Sequence, residues 1–99
     1  MNQPLFCVMI AGQAKPGMED YVRNHMLELM KRSNKEAGCL VYNVHESADQ
    51  PGEFMVYMLW QSQQKFEEHN ATPQMQEFKK KLAAEWFVQQ SPKTYWQLL

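Results

Sequence analysis

The sequence is short of the features that mark several functional classes. Among its 99 residues only Cys7 and Cys39 are cysteines, enough for at most one bridge. Neither CxxC spacing nor a crowd of histidines and carboxylates surrounds them, so both read as reduced packing residues rather than a disulfide framework. The three histidines, His25, His45 and His69, lie 20 and 24 residues apart, and the i+2 to i+4 spacing of a metal site is missing. Four glycines form no phosphate-cradling loop, and no Gly-x-Ser-x-Gly elbow is present, which removes nucleotide binding and triad hydrolysis. Charge of one sign is not in surplus. Ten basic against eleven acidic side chains give a net charge of -1, and the densest basic run, Lys79-Lys80-Lys81, falls inside a helical pattern, so a nucleic-acid partner is not expected. No apolar run nears the roughly 20 residues of a membrane span, and no membrane role is expected. Leu5 to Ala11 with Ala11-Gly12-Gln13-Ala14 mimics a signal peptide, but no Lys or Arg precedes it. A cytoplasmic protein is the expectation.

What is present is a core. Hydrophobic residues make up 44% and aromatics 12% against 21% charged, the balance of a globular chain, and the length suits a single domain over residues 1–99. Leu5 to Gln13 is apolar with little polar relief and closes on Lys15-Pro16-Gly17, which predicts a buried strand. Met18, Tyr21, Val22, Met26, Leu29 and Met30 then recur at three- and four-residue steps, the pattern of an amphipathic helix ended by Gly38. Leu40 to Glu46 and Glu53 to Trp60 read as strands joined across Asp49-Gln50-Pro51-Gly52. Ser62 caps a short helix through Phe66 and His69, and Ala71-Thr72-Pro73 interrupts it before a longer helix carrying Met75, Phe78, Leu82 and Trp86. Lys93 to Leu99 reads as the last strand. This order predicts an α+β, ferredoxin-like (split βαβ) fold, an antiparallel sheet with helices on one face.

In Phe54-Met55-Val56-Tyr57-Met58-Leu59-Trp60 both alternating sets are apolar, whereas a sheet with one wet face alternates apolar with polar. Helices cover one face. The other is expected to pack against a second copy, giving a homodimer through the sheet face.

Without metal or nucleotide motifs, the remaining chemistry is that of a cavity between helices and sheet, suited to a flat organic ligand. His69 stands three residues after Phe66 on an apolar stripe, where an imidazole can exchange a proton near neutral pH, or simply serve the structure. Trp60 closes its strand on the face of Phe54, Val56 and Met58, as core or as a wall. His25, placed by the pattern beside Tyr21, Val22 and Leu29, and Asn43 with His45 on one strand face, are polar groups where apolar ones are expected.

The series Trp60, Phe66, His69, Thr72-Pro73, preceded by Glu36-Ala37-Gly38-Cys39-Leu40-Val41-Tyr42 and Ala14-Lys15-Pro16-Gly17, resembles the antibiotic biosynthesis monooxygenase superfamily, including its quinol monooxygenase-like members. The resemblance spans nearly the whole chain. It implies a dimeric α/β barrel with sheets packed together, one pocket per subunit, and oxygenation of a small aromatic, phenolic or quinol substrate. Molecular oxygen is the co-substrate in that chemistry, with no metal, flavin or nicotinamide. Carried over by position, His69 is the base or hydrogen-bond partner and Trp60 the stacking wall. Tyr21, His25, Val56, Met58 and Phe66 line the pocket. Many relatives have Glu where this chain has Met58, and His where it has Gln74; haem-degrading members carry an Asn near the position of Ile10. Two alternatives follow from these departures and from the pocket's chemistry: a non-catalytic dimeric small-molecule-binding protein, and an isomerase of a small carbonyl compound.

Overall fold

A computed structural model describes residues 4–99. The apolar opening run forms β1 (Leu5–Ala14), and the amphipathic segment after Gly17 forms α1 (Glu19–Ser33). Acidic Glu19 and Asp20 occupy its first turn and basic Lys31 and Arg32 its last, which complements the helix dipole. Then come β2 (Cys39–Glu46), β3 (Glu53–Trp60), α2 (Gln63–Asn70) and α3 (Pro73–Lys81), which passes into a π-helical turn, Leu82–Trp86. Two short strands end the chain, β4 (Phe87–Gln90) and β5 (Thr94–Leu98).

All pairings are antiparallel, in the order β2-β3-β1, with β4 and β5 sharing the far edge of β1. This is the ferredoxin-like α+β arrangement, with one addition. The sequence pattern predicts a single last strand; instead β4 pairs with Gly12 to Ala14 and β5 with Leu5 to Met9. Between them Ser91 bonds both backbone groups of Ala11, its Oγ accepting from the amide at 2.9 Å and donating to the carbonyl at 3.0 Å. No edge group of β1 is left bare where the strands change over. The segment from Phe87 was hard to read because Val88 to Gln90 are exposed and carry no alternating pattern.

Even-numbered residues of β1 and β3 face the helices. Val8 opposes Met58 and Gly12 opposes Phe54, while Tyr42 on β2 opposes Met58. Val8, Phe54 and Trp60 are sealed from solvent, together with Val22 of α1. Each aliphatic or Phe side chain so buried is worth about 1.5–3 kcal/mol. The buried stripe of α1 is Val22, Met26, Leu29 and Ser33. Tyr21 and His25 are exposed, a correction to the helix face expected of them. One position is 100° of helix, so the Tyr21–His25 row lies a quarter turn or more from the Val22–Met26 row. The two rings meet at a tilt, their centroids 4.3 Å apart, and both lean on Trp86.

Candidate functional site

A cavity of about 270 Å3 lies between the helix-side face of the sheet and the helices. The sheet contributes Ile10, Gly12, Val56, Met58 and Phe87; α2 contributes Phe66 and His69; α3 and the π-helical turn contribute Met75, Phe78 and Leu82. The lining is mostly apolar and the volume sits just under the roughly 300–1,000 Å3 of small-molecule sites, enough for a ligand of one or two rings. Lys79 and Lys93 are its only basic side chains apart from His69, among the described residues.

His69 is held from three directions. Ser62 caps α2 by accepting from the Lys65 amide at 3.2 Å, which starts the helix that carries the imidazole inward. Thr72 Oγ1 donates to the His69 carbonyl at 2.9 Å and accepts from the Met75 amide at 3.3 Å, so one hydroxyl closes α2 and caps α3. Pro73 at the first position of α3 makes the break between the two helices sharp. On the ring, Nδ1–H donates to Glu36 Oε2 at 2.5 Å. A carboxylate accepts only, so this bond keeps the proton on Nδ1 and leaves Nε2 with a free lone pair. Nε2 is buried and has no partner. Burial holds His69 below its ordinary range, with Lys79 and Lys93 adding to the effect and Glu36 opposing it. The imidazole is therefore neutral at neutral pH, the state a base needs.

Glu36 was not legible as a site residue. It stands in the turn between α1 and β2, 33 residues from His69. Asn34 sets that turn: its Nδ2 donates to the Met30 and Tyr42 carbonyls at 3.0 and 2.9 Å, and its Oδ1 accepts from the Tyr42 amide at 3.1 Å. Gly38 then takes φ 88°, which an L side chain disfavours, and its carbonyl accepts from the Gln61 amide at 2.8 Å. A Cβ there would also meet the Lys65 stem at 2.6 Å. The hairpin register offered a signal, since pairing Cys39 with Trp60 brings the turn before β2 beside the segment after β3.

The other sequence-predicted residues divide. Val56, Met58, Phe66 and His69 share the cavity. Trp60 does not line it; fully buried, it lies 4.7 Å from the His69 ring and 6.2 Å from Phe66. Its Nε1 has no partner. Tyr21 and His25 are outside the lining, His25 Nδ1 lying 3.0 Å from its own helix's Tyr21 carbonyl. Asn43 and His45 are on the opposite face of the sheet. Gln74 lies with Glu36 and His69 around a smaller adjoining cavity.

No curated protein is significantly similar in sequence to this chain. Solved structures share its fold. A Pseudomonas aeruginosa protein superposes with a TM-score of 0.87 at 20% identity, over 100% of this chain and 98% of its own. A Shewanella oneidensis protein gives 0.89 at 20%, over 98% and 93%. An antibiotic biosynthesis monooxygenase gives 0.78 at 22%, over 95% and 96%. In sequence, residues 5–81 match the family model described as antibiotic biosynthesis monooxygenase, well over half of the chain, and the protein belongs to that family.

Proposed function

We propose that the cavity oxygenates a small phenolic or quinol compound with molecular oxygen and no cofactor, His69 acting as the base. The observation that carries this reading is the Glu36–His69 pair, which leaves a buried, unpartnered Nε2 on a residue of the cavity. The site can take a proton from a phenolic hydroxyl. The resulting phenolate is electron-rich at the para carbon, which passes electrons to oxygen and forms the new C–O bond. Loss of that carbon's hydrogen with cleavage of the O–O bond leaves a quinone carbonyl, and the second oxygen atom departs as water. One phenol and one dioxygen thus give one quinone and one water, the substrate supplying all four electrons. Trp60, packed on the imidazole, is a positioning residue in this scheme. Met58 provides no carboxylate toward the substrate; Glu36 provides one to the histidine.

Oxygen uptake against a panel of phenols and dihydroxynaphthalenes, with chelator present and denatured protein as the autoxidation control, tests the reading. Saturable uptake is expected, falling by about 10²- to 10⁴-fold in His69→Ala. It falls also in Glu36→Gln, whose amide can hold the imidazole in the wrong tautomer. A flat trace across the panel refutes the oxygenase. If the same compounds still raise the melting temperature, the protein is a binding module, the second reading that a mostly apolar lining favours.

The proposal includes a homodimer. On the face of the sheet away from the helices, Met9, Met55, Tyr57 and Leu59 are only half-buried. On the same face Trp96 and Leu98 are 57% and 53% exposed. A second copy placed face to face would remove this surface from water.

A further inference from the structure

Two cations face a cavity whose remaining lining is mostly apolar. Lys79 reaches it from the last turn of α3, and Lys93 from the segment between β4 and β5. Among the described residues neither forms an ion pair with a carboxylate. Both are half-buried. The Lys93 ammonium lies 5.9 Å from the centroid of Phe66, itself a wall of the cavity.

Half-buried ammonium groups without an acidic partner are costly. Burial first and the neighbouring Lys79 charge second hold Lys93 below its usual range. One anion shared between the two would relieve the repulsion and supply the missing acceptors. The polar group of a ligand is therefore specified at this end, its apolar body among Phe66, Phe78 and Phe87, and a proton acceptor at His69.

From the unpaired Lys79 and Lys93 over an aromatic-lined cavity, we propose that the ligand is an aromatic acid, a ring system carrying a carboxylate that the two lysines bind. The inference rests on the cavity being the ligand site and narrows its substrate class from phenols in general to phenolic acids. Lys80 provides the control, being exposed, next in sequence to Lys79 and outside the lining.

The test is calorimetric titration of the intact protein with 2-naphthoate and with its neutral isostere 2-naphthamide. The acid is expected to bind about tenfold tighter or more, as a charge-assisted contact in a half-buried site allows. The preference falls to near unity in Lys79→Gln/Lys93→Gln and is retained in Lys80→Gln, with circular dichroism confirming that each variant is folded. Equal affinity for acid and amide in the wild type overturns the proposal, as does a preference that survives in the double variant. Failure here and failure of the oxygenase are separable. Binding of neither compound, with phenol-dependent oxygen uptake intact, sinks the carboxylate site alone. Lysine-dependent naphthoate binding without uptake of oxygen by any phenol or phenolic acid keeps the carboxylate site and removes the oxygenase.

Discussion

Gly12 is a position where a single methyl group should do harm. It lies in β1 between Phe54 of β3 and Gln90 of β4, paired on both edges. A Cβ built on it would fall 2.4 and 2.5 Å from Cδ2 and Cε2 of Phe87 and 3.0 Å from the Gln89 carbonyl oxygen. Carbon atoms are comfortable at about 3.5–4.0 Å, so the overlap with the ring is about 1 Å. The β1 backbone cannot retreat without breaking ladder bonds on one side or the other. The ring must therefore move, and the space it borders is the cavity that Gly12 and Phe87 both line. Overpacking of this kind costs about 1–3 kcal/mol. For a domain of about 100 residues that lowers the melting temperature of Gly12→Ala by roughly 4–8 °C per kcal/mol. Thermal unfolding of Gly12→Ala, Phe87→Leu and the double variant checks the cause. If the clash is with the ring, the alanine costs less in the Phe87→Leu background, with a coupling of at least about 0.5 kcal/mol. An unchanged melting temperature for Gly12→Ala, or additive costs in the double variant, would refute the reasoning.

Arg23 donates to both oxygens of Glu46, at 2.7 and 2.8 Å, and the Gly52 amide adds a third bond at 2.9 Å. Together they hold the Glu46 carboxyl down at about 2. The stability this provides is present above pH 4.5 and is lost as pH falls toward 2; acid titrations of wild type and Glu46→Gln should differ by about 1 kcal/mol, reduced from the ideal because the pair is partly exposed. His69, held below its ordinary range, has the unfolded chain taking up its proton first. Its contribution is intact above about pH 6.5 and declines below it, so urea midpoints measured from pH 8 to 5 should fall less steeply in His69→Gln. Identical slopes in the two proteins would show that the imidazole is not held neutral. On the open sheet face, Leu59→Glu should convert a dimer to a monomer by light scattering, and an already monomeric wild type removes the proposed interface.

Strand and helix positions were legible because period and punctuation agreed. Ser62 and Pro73 mark helix starts that the structure keeps, and β3 runs from Glu53 to Trp60 as the apolar run does. Two local readings failed, each for its own reason. Tyr21 counts as apolar in a periodicity and stands exposed beside His25, because ring contacts with Trp86 satisfy both without burial in the core. Phe87 carries one buried side chain into a strand whose other three residues are exposed, too little pattern to see.

The site was half legible, and the half that was missed is of a different physical kind. His69 could be suspected from its own neighbours, since an imidazole on an apolar stripe three residues from Phe66 is a local contradiction. Glu36 presents no contradiction in its own segment, a solvated-looking acid at the end of a helix. Its role comes only from pairing β2 with β3, which carries the turn at 34–38 to α2. Lys79 is similar: within Lys79-Lys80-Lys81 the three residues are equivalent by composition, and only helix rotation aims the first at the cavity and leaves Lys80 in water. Groups that bind or move charge here are thus set by long-range register, and apolar walls by local period. The walls therefore tell a flat ligand from a bulky one, while the polar groups that decide which flat ligand is held belong to the folded chain alone.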